Sequence, residues 1–163
     1  MTLNARSEAV RRRLLRPWNF RLYLWARLPL AACAGLSLQR LDETACTVTL
    51  PGGWRTQNPF RSMYFAAQAM AAEMSTGAPA MMLAEGASAS VSMLVREVRG
   101  VFLRRIQGQA AFTFEDMTAM RATVDRAVAS GESESFVARS VGRVVGEETA
   151  ASEFEITWSF KRR

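Results

Sequence analysis

Glu73 is the residue in this sequence best placed to do chemistry, because it is the only carboxylate in the stretch 58–77, which is otherwise rich in alanine and methionine. A carboxylate buried in such surroundings costs several kcal/mol unless it is paired, hydrogen-bonded or protonated. Two readings follow. Glu73 is a general base or nucleophile working with a raised pKa, or it is a structural carboxylate held by an arginine or by backbone amides at a seam between two chains. Asn58, fifteen positions earlier, offers a carboxamide that either serves the same site or caps a helix. The chain contains no histidine. That excludes Ser-His-Asp and Cys-His catalysis, HExxH zinc sites and histidine proton shuttles. Acid–base chemistry must then run on carboxylates, tyrosine, lysine, cysteine or bound water. The two cysteines, Cys33 and Cys46, lack metal-ligand spacing, so no metal site and no cofactor is expected. Buried free thiols in a reducing compartment are the default.

The element that must carry Glu73 is a helix predicted over about 59–75. Asn58 stands as its cap, Pro59 at its first position, and Gly77 with Pro79 as its stop. Phe60, Met63, Ala67, Met70 and Met74 form one stripe at helical spacing, and alanines thin the other faces. Such a helix is buried nearly all round. Arg61, in its first turn, opposes the helix dipole and is a candidate partner for a ligand phosphate or for Glu73 of a second chain.

Around this helix the periodicity is mostly two. Residues 36–41 and 46–50 read as a hairpin closed by Asp42, Glu43 and Thr44. Alternation at 91–96, 101–106 and 110–115 gives three more strands. Asp116 opens a second helix ended by Gly131, and two strands follow, the last (153–160) with the cleanest alternation in the chain. Strands grouped around helices, without βαβ alternation, predict an α+β domain with an antiparallel sheet. Residues 1–30 are expected to form an N-terminal helical extension, beginning with an amphipathic helix at 3–16, and residues 31–163 a single domain.

The net charge of +6 brings no nucleic-acid motif with it, and a solvated basic surface is expected rather than a nucleic-acid partner. The run ending Leu30, Ala31, Ala32, Cys33 resembles a lipoprotein signal, but Arg21 and Arg27 interrupt it and it starts late. No stretch approaches the length of a bilayer span. The expectation is a cytoplasmic protein with no membrane partner.

The order of elements resembles the hotdog fold, in which a curved antiparallel sheet wraps a central helix. The chain is most similar to phenylacetate-pathway-type acyl-CoA thioesterases, and closer still to an uncharacterised branch of that superfamily, from about Gly35 to Phe160. The family's segment begins with Asn, passes a HisGlyGly turn and reaches Asp or Glu fifteen residues on; Asn58 and Glu73 keep that spacing. Arg61, Tyr64, Phe65 and Ala66 stand where the family has Gly, His, Gly and Gly. The resemblance implies a thioesterase in which Glu73 activates water or attacks, the helix amino end polarises the carbonyl, and Arg61, Tyr64 and Phe65 border the substrate. It also implies a homodimer or tetramer with sites shared between subunits. Fifteen helical residues rise about 22 Å, so Asn58 and Glu73 of one chain are not expected to meet over one substrate. The bulky residues replacing HisGlyGly leave open a second reading, a non-catalytic module that binds an acyl or other hydrophobic ligand, or a structural dimer. Dehydration of a hydroxyacyl thioester, which in this fold usually relies on histidine, fits poorly.

Overall fold

The computed structural model describes residues 3–163. Three helices come first: α1 (Ala5–Leu15), α2 (Pro17–Arg27) and α3 (Pro29–Ala34). The hairpin β1 (Ser37–Leu41) and β2 (Cys46–Leu50) follows, then the long helix α4 (Phe65–Gly86). The chain closes with β3 (Val91–Phe102), β4 (Ala110–Phe114), α5 (Met117–Ser130), β5 (Glu134–Val144) and β6 (Ala150–Arg162). All pairings are antiparallel, in the order β1-β2-β4-β5-β6-β3. The α+β expectation holds.

One face of the sheet is buried along β2, β4 and β6, whereas no residue of the edge strand β3 is fully buried. Ala110, Phe112 and Phe114 of β4 and Phe154, Ile156, Trp158 and Phe160 of β6 point to the core, while alternate positions of β6 such as Glu155 face outward. The helix α4 lies along this face and touches all six strands. Its alanines at 67, 71, 72, 78 and 80 are buried, so small side chains let the sheet close on the helix. Two polar latches fix its rotation. Ser75 and Ser140 share a buried Oγ–Oγ hydrogen bond of 2.7 Å, and Trp158 Nε1 donates to Thr76 Oγ1 at 2.9 Å.

The central helix differs from expectation at both ends. It begins at Phe65, not near 59, and Tyr64 occupies the cap position with no side-chain cap bond. Asn58 is no helix cap. Its Oδ1 accepts from Phe60 N–H, Ser62 N–H and Ser62 Oγ–H, which ties residues 58–62 into a turn that competes with helix. Arg61 has φ of 57° in this turn, a left-handed conformation that no α-helix accommodates. It is therefore not in a first helical turn, and the dipole argument for it falls. At the other end the helix runs through Gly77 and Pro79 to Gly86. Ala78, Pro79 and Ala80 are all buried, and tertiary packing overrides the local stop signal.

The remaining differences are smaller. The strand expected at 91–96 continues to Phe102 as one strand, β3, with a register shift between Val95 and Glu97, and of the separate strand expected at 101–106 residues 103–106 form no strand. Gly100 sits inside it because a Cβ there would lie 2.8 Å from the Phe154 ring. Cys33 is exposed, whereas Cys46 is buried as expected. The helix α1 is capped by Asn4, whose Oδ1 accepts from Ser7 N–H, and buries Val10 and Leu14. Asp116 caps α5 and Gly131 ends it in the left-handed conformation, as the sequence predicts.

Candidate active site

Glu73 sits in the third turn of α4, half-buried. Among the described residues no hydrogen bond or ion pair reaches its carboxylate, and none of their arginines serves as the partner that the structural reading requires. Burial pushes the Glu73 carboxyl above the ordinary carboxylate range. Gly77, one turn on, is what gives the carboxylate room. A Cβ at Gly77 would lie 2.9 Å from Glu73 Oε1 and 3.3 Å from the Trp158 ring. The backbone beneath is held firmly, since Thr76 Oγ1 donates to Glu73 O at 3.0 Å while accepting from Trp158. Tyr23 of α2 lies within electrostatic reach: burial, then the charges of Glu73 and Glu85, push its phenol up.

The amino end of α4 forms the second part. The first intrahelical bond runs from Gln68 N–H to Tyr64 O. Among the described residues, nothing accepts from the N–H groups of Phe65, Ala66 and Ala67. Three free amides at a helix amino end favour developing negative charge on an oxygen. The Tyr64 N–H is already used, donating to Thr56 O at 2.7 Å. The Tyr64 and Phe65 rings are exposed and stack edge-on at 4.7 Å. Phe65 continues to Phe102 of β3 at 6.5 Å, and Phe102 to Phe154 at 5.6 Å. The amino end of α4 is thereby joined to β3, an edge strand whose Leu94, Val98, Val101 and Phe102 are exposed.

Sequence reasoning missed Gln68. It is buried, its Nε2 donates to Met63 O at 3.1 Å, and its Oε1 has no partner. The available signal was a second polar side chain in an alanine-rich helix. The structure separates the other expected residues. Tyr64 and Phe65 stand at the amino end of α4, Asn58 and exposed Arg61 lie in the preceding turn, and Glu73 is eight helical residues beyond Phe65. The separation along α4 is thus about 12 Å. The 22 Å figure, which assumed helix from Asn58 onward, is corrected, yet the amino end and the carboxylate of one chain are still two turns apart. Among the described residues, no three His, Cys, Asp or Glu side chains converge as a metal site would require.

A long helix cradled in one curved antiparallel sheet is the architecture of the hotdog thioesterases, and solved structures bear this out. A protein of unknown function from Chlorobaculum tepidum superposes with a TM-score of 0.76 at 13% identity, covering 91% of this chain and 98% of its own. A Pseudomonas aeruginosa protein of unknown function, named a probable thioesterase, gives 0.71 at 17% identity over 90% and 97%. A thioesterase from Haemophilus influenzae gives 0.64 at 14% identity over 86% and 88%. These identities establish the fold. No curated protein sequence matches the chain. Residues 16–158 match the model of a domain of unknown function (DUF4442), and the chain belongs to that family.

Proposed function

We propose that this protein hydrolyses acyl thioesters, of coenzyme A or an acyl carrier, with water activated by Glu73. The observation that carries this reading is the Glu73 carboxylate itself: half-buried, unpaired, raised in pKa by burial, and given room by Gly77. A group of this kind takes a proton from water near neutral pH more readily than an ordinary glutamate. The thioester carbonyl oxygen would rest on the free N–H groups of Phe65, Ala66 and Ala67.

Because those amides and Glu73 stand about 12 Å apart along one helix, the complete site takes Glu73 from one chain and the amino end of α4 from another. The exposed apolar edge of β3, joined to that amino end through Phe65 and Phe102, is the seam where a second copy would pair. The reading is a homodimer, or a tetramer built from it, acting on cytoplasmic acyl-CoA. Residues 1–30 would extend the catalytic domain 31–163, and Asn58, Arg61, Tyr64 and Phe65 would border the substrate. Release of free thiol from acyl-CoAs of graded length tests it: Glu73→Gln should lose about 100-fold or more. Equal turnover by both proteins would remove the mechanism. A binding module is the second reading, favoured by the Tyr64 and Phe65 rings standing at the carbonyl-binding end. No turnover by either protein, with acyl-CoA raising the melting temperature of both, would establish it.

A further inference from the structure

The net positive charge of the chain comes from one region. Residues 1–41 hold eight arginines and one carboxylate, a net +7, whereas residues 42–163 hold thirteen basic and fourteen acidic residues, a net −1. Residues 5–34 of this region fold into α1, α2 and α3.

The helix α2 has two apolar faces. Phe20 and Leu24 are buried against the domain. Trp18, Leu22 and Trp25, at helical spacing on the opposite side, are 76%, 65% and 57% exposed, and Leu30 just beyond is 71% exposed. Four of the eight arginines are ion-paired: Arg11 and Arg12 share Glu8, Arg13 meets Glu85 and Arg40 meets Asp42. Arg16, Arg21 and Arg27 are exposed and have no carboxylate partner among the described residues. The Arg21 guanidinium lies 5.7 Å from the centre of the Trp18 ring, so cation and aromatic stand side by side.

We propose that this face docks on the surface of an anionic lipid bilayer. Tryptophan rings favour the headgroup boundary, leucines enter the acyl region below it, and arginines meet lipid phosphates. A second copy of the chain fits poorly, since a two-fold contact here would press the unpaired Arg16, Arg21 and Arg27 of one copy against those of the other. A nucleic acid would answer the charge but leave Leu22 and Leu30 unburied. Among the described residues no helix is long and apolar enough to cross a membrane, and α2, with eleven residues, is about 16 Å long. It lies in the interface plane. The sequence reading expected no membrane partner; the attachment proposed here is to the bilayer surface only. A cleft of about 720 Å³ between α1, α2 and the far end of α4, with Leu22, Leu28, Arg27 and Glu85 in its wall, opens beside the stripe and would face the lipid.

The test is co-sedimentation of the full chain with vesicles of phosphatidylcholine, alone or with about a third phosphatidylglycerol, with tryptophan emission read in parallel. The expected result is binding to the anionic vesicles with a blue shift, weakening as salt rises. The substitutions Trp18→Ser, Leu22→Ser and Trp25→Ser, made together on exposed positions, should lower partitioning about tenfold or more. The set Arg16→Gln, Arg21→Gln, Arg27→Gln should lower it too and flatten the salt dependence. Circular dichroism on both variants confirms that they fold, and the arginine set alone decides the matter if the serine set does not. No binding to anionic vesicles at low salt, or binding by both variants equal to that of the wild type, overturns the proposal. So does self-association abolished by the serine set, or binding to duplex DNA without binding to vesicles. Glu73→Gln should bind vesicles like the wild type, so this result stands apart from the thioesterase reading.

Discussion

Gly77→Ala is the sharpest single test of the site, because it adds one methyl group next to the carboxylate without touching it chemically. Alanine is favoured over glycine in a helix interior by about 1 kcal/mol. The new Cβ would lie 2.9 Å from Glu73 Oε1 and 3.3 and 3.4 Å from two Trp158 ring carbons. Trp158 is buried and hydrogen-bonded to Thr76, so it yields little. The Glu73 carboxylate, at the end of a flexible side chain, yields instead, by about 0.5 Å to reach ordinary contact. Unfolding stability should therefore stay within about 1 kcal/mol of wild type, read by urea denaturation. Thioester hydrolysis should fall about tenfold, given that a 1 Å misplacement costs roughly 100-fold. Normal stability with hydrolysis within twofold of wild type would show that the position of this carboxylate does not matter. A stability loss beyond about 3 kcal/mol would instead refute the claim that Glu73 moves in place of the core.

Other outcomes follow from the same geometry. The folded pKa of Glu73 lies above its unfolded value, so ionising it opposes folding: stability falls as pH rises from the unfolded pKa through the folded one. Glu73→Gln should thus gain on wild type in melting temperature from acid to neutral pH and match it at pH below the unfolded value; a pH-independent difference would contradict this. Ser75→Ala should cost about 1–3 kcal/mol by orphaning the buried Ser140 hydroxyl. Adding Ser140→Ala should cost less than the sum of the two single changes, and strict additivity would show that the two hydroxyls do not depend on each other. Gly142→Ala would place a Cβ 2.5 Å from the Phe112 ring and 2.6 Å from Ser152 Oγ, both buried. A loss of about 2 kcal/mol or more in calorimetry is expected, and a neutral result would mean that the sheet is looser there.

What the sequence made legible depended on how local the determining physics was. The strand at 153–160 was readable because alternate residues meet core and solvent, and the hairpin at 36–50 because the short polar link at 42–44 separates two apolar-rich runs. Asp116 and Gly131 marked α5 because capping is settled within one turn. The ends of α4 were not readable. Asn58 and Pro59 carry the chemistry of a helix start but are drawn into a turn by Ser62, and Gly77 with Pro79 looks like a stop until the sheet encloses it. Glu73 stood out by contrast with its neighbours, whereas Gln68, Tyr23 and the service of Gly77 to the carboxylate depend on packing partners far away in sequence. The outward faces of 17–34 were hidden for a different reason: apolar residues occur on both sides of α2, and only the tertiary structure shows which side is left uncovered.

The placement of β3 has a consequence for how the chain is made. Its sole strand neighbour is β6, and β6 starts at Ala150, nearly fifty residues after β3 ends at Phe102. At ribosomal speeds of about 5–20 residues per second, β3 waits several seconds with both edges open. During that wait α4 also lacks the wall of Phe154, Ile156 and Trp158 that later encloses it. The chain therefore cannot complete its core vectorially, and β3, with Leu94, Val98 and Phe102, is the segment that nascent-chain chaperones have most reason to hold.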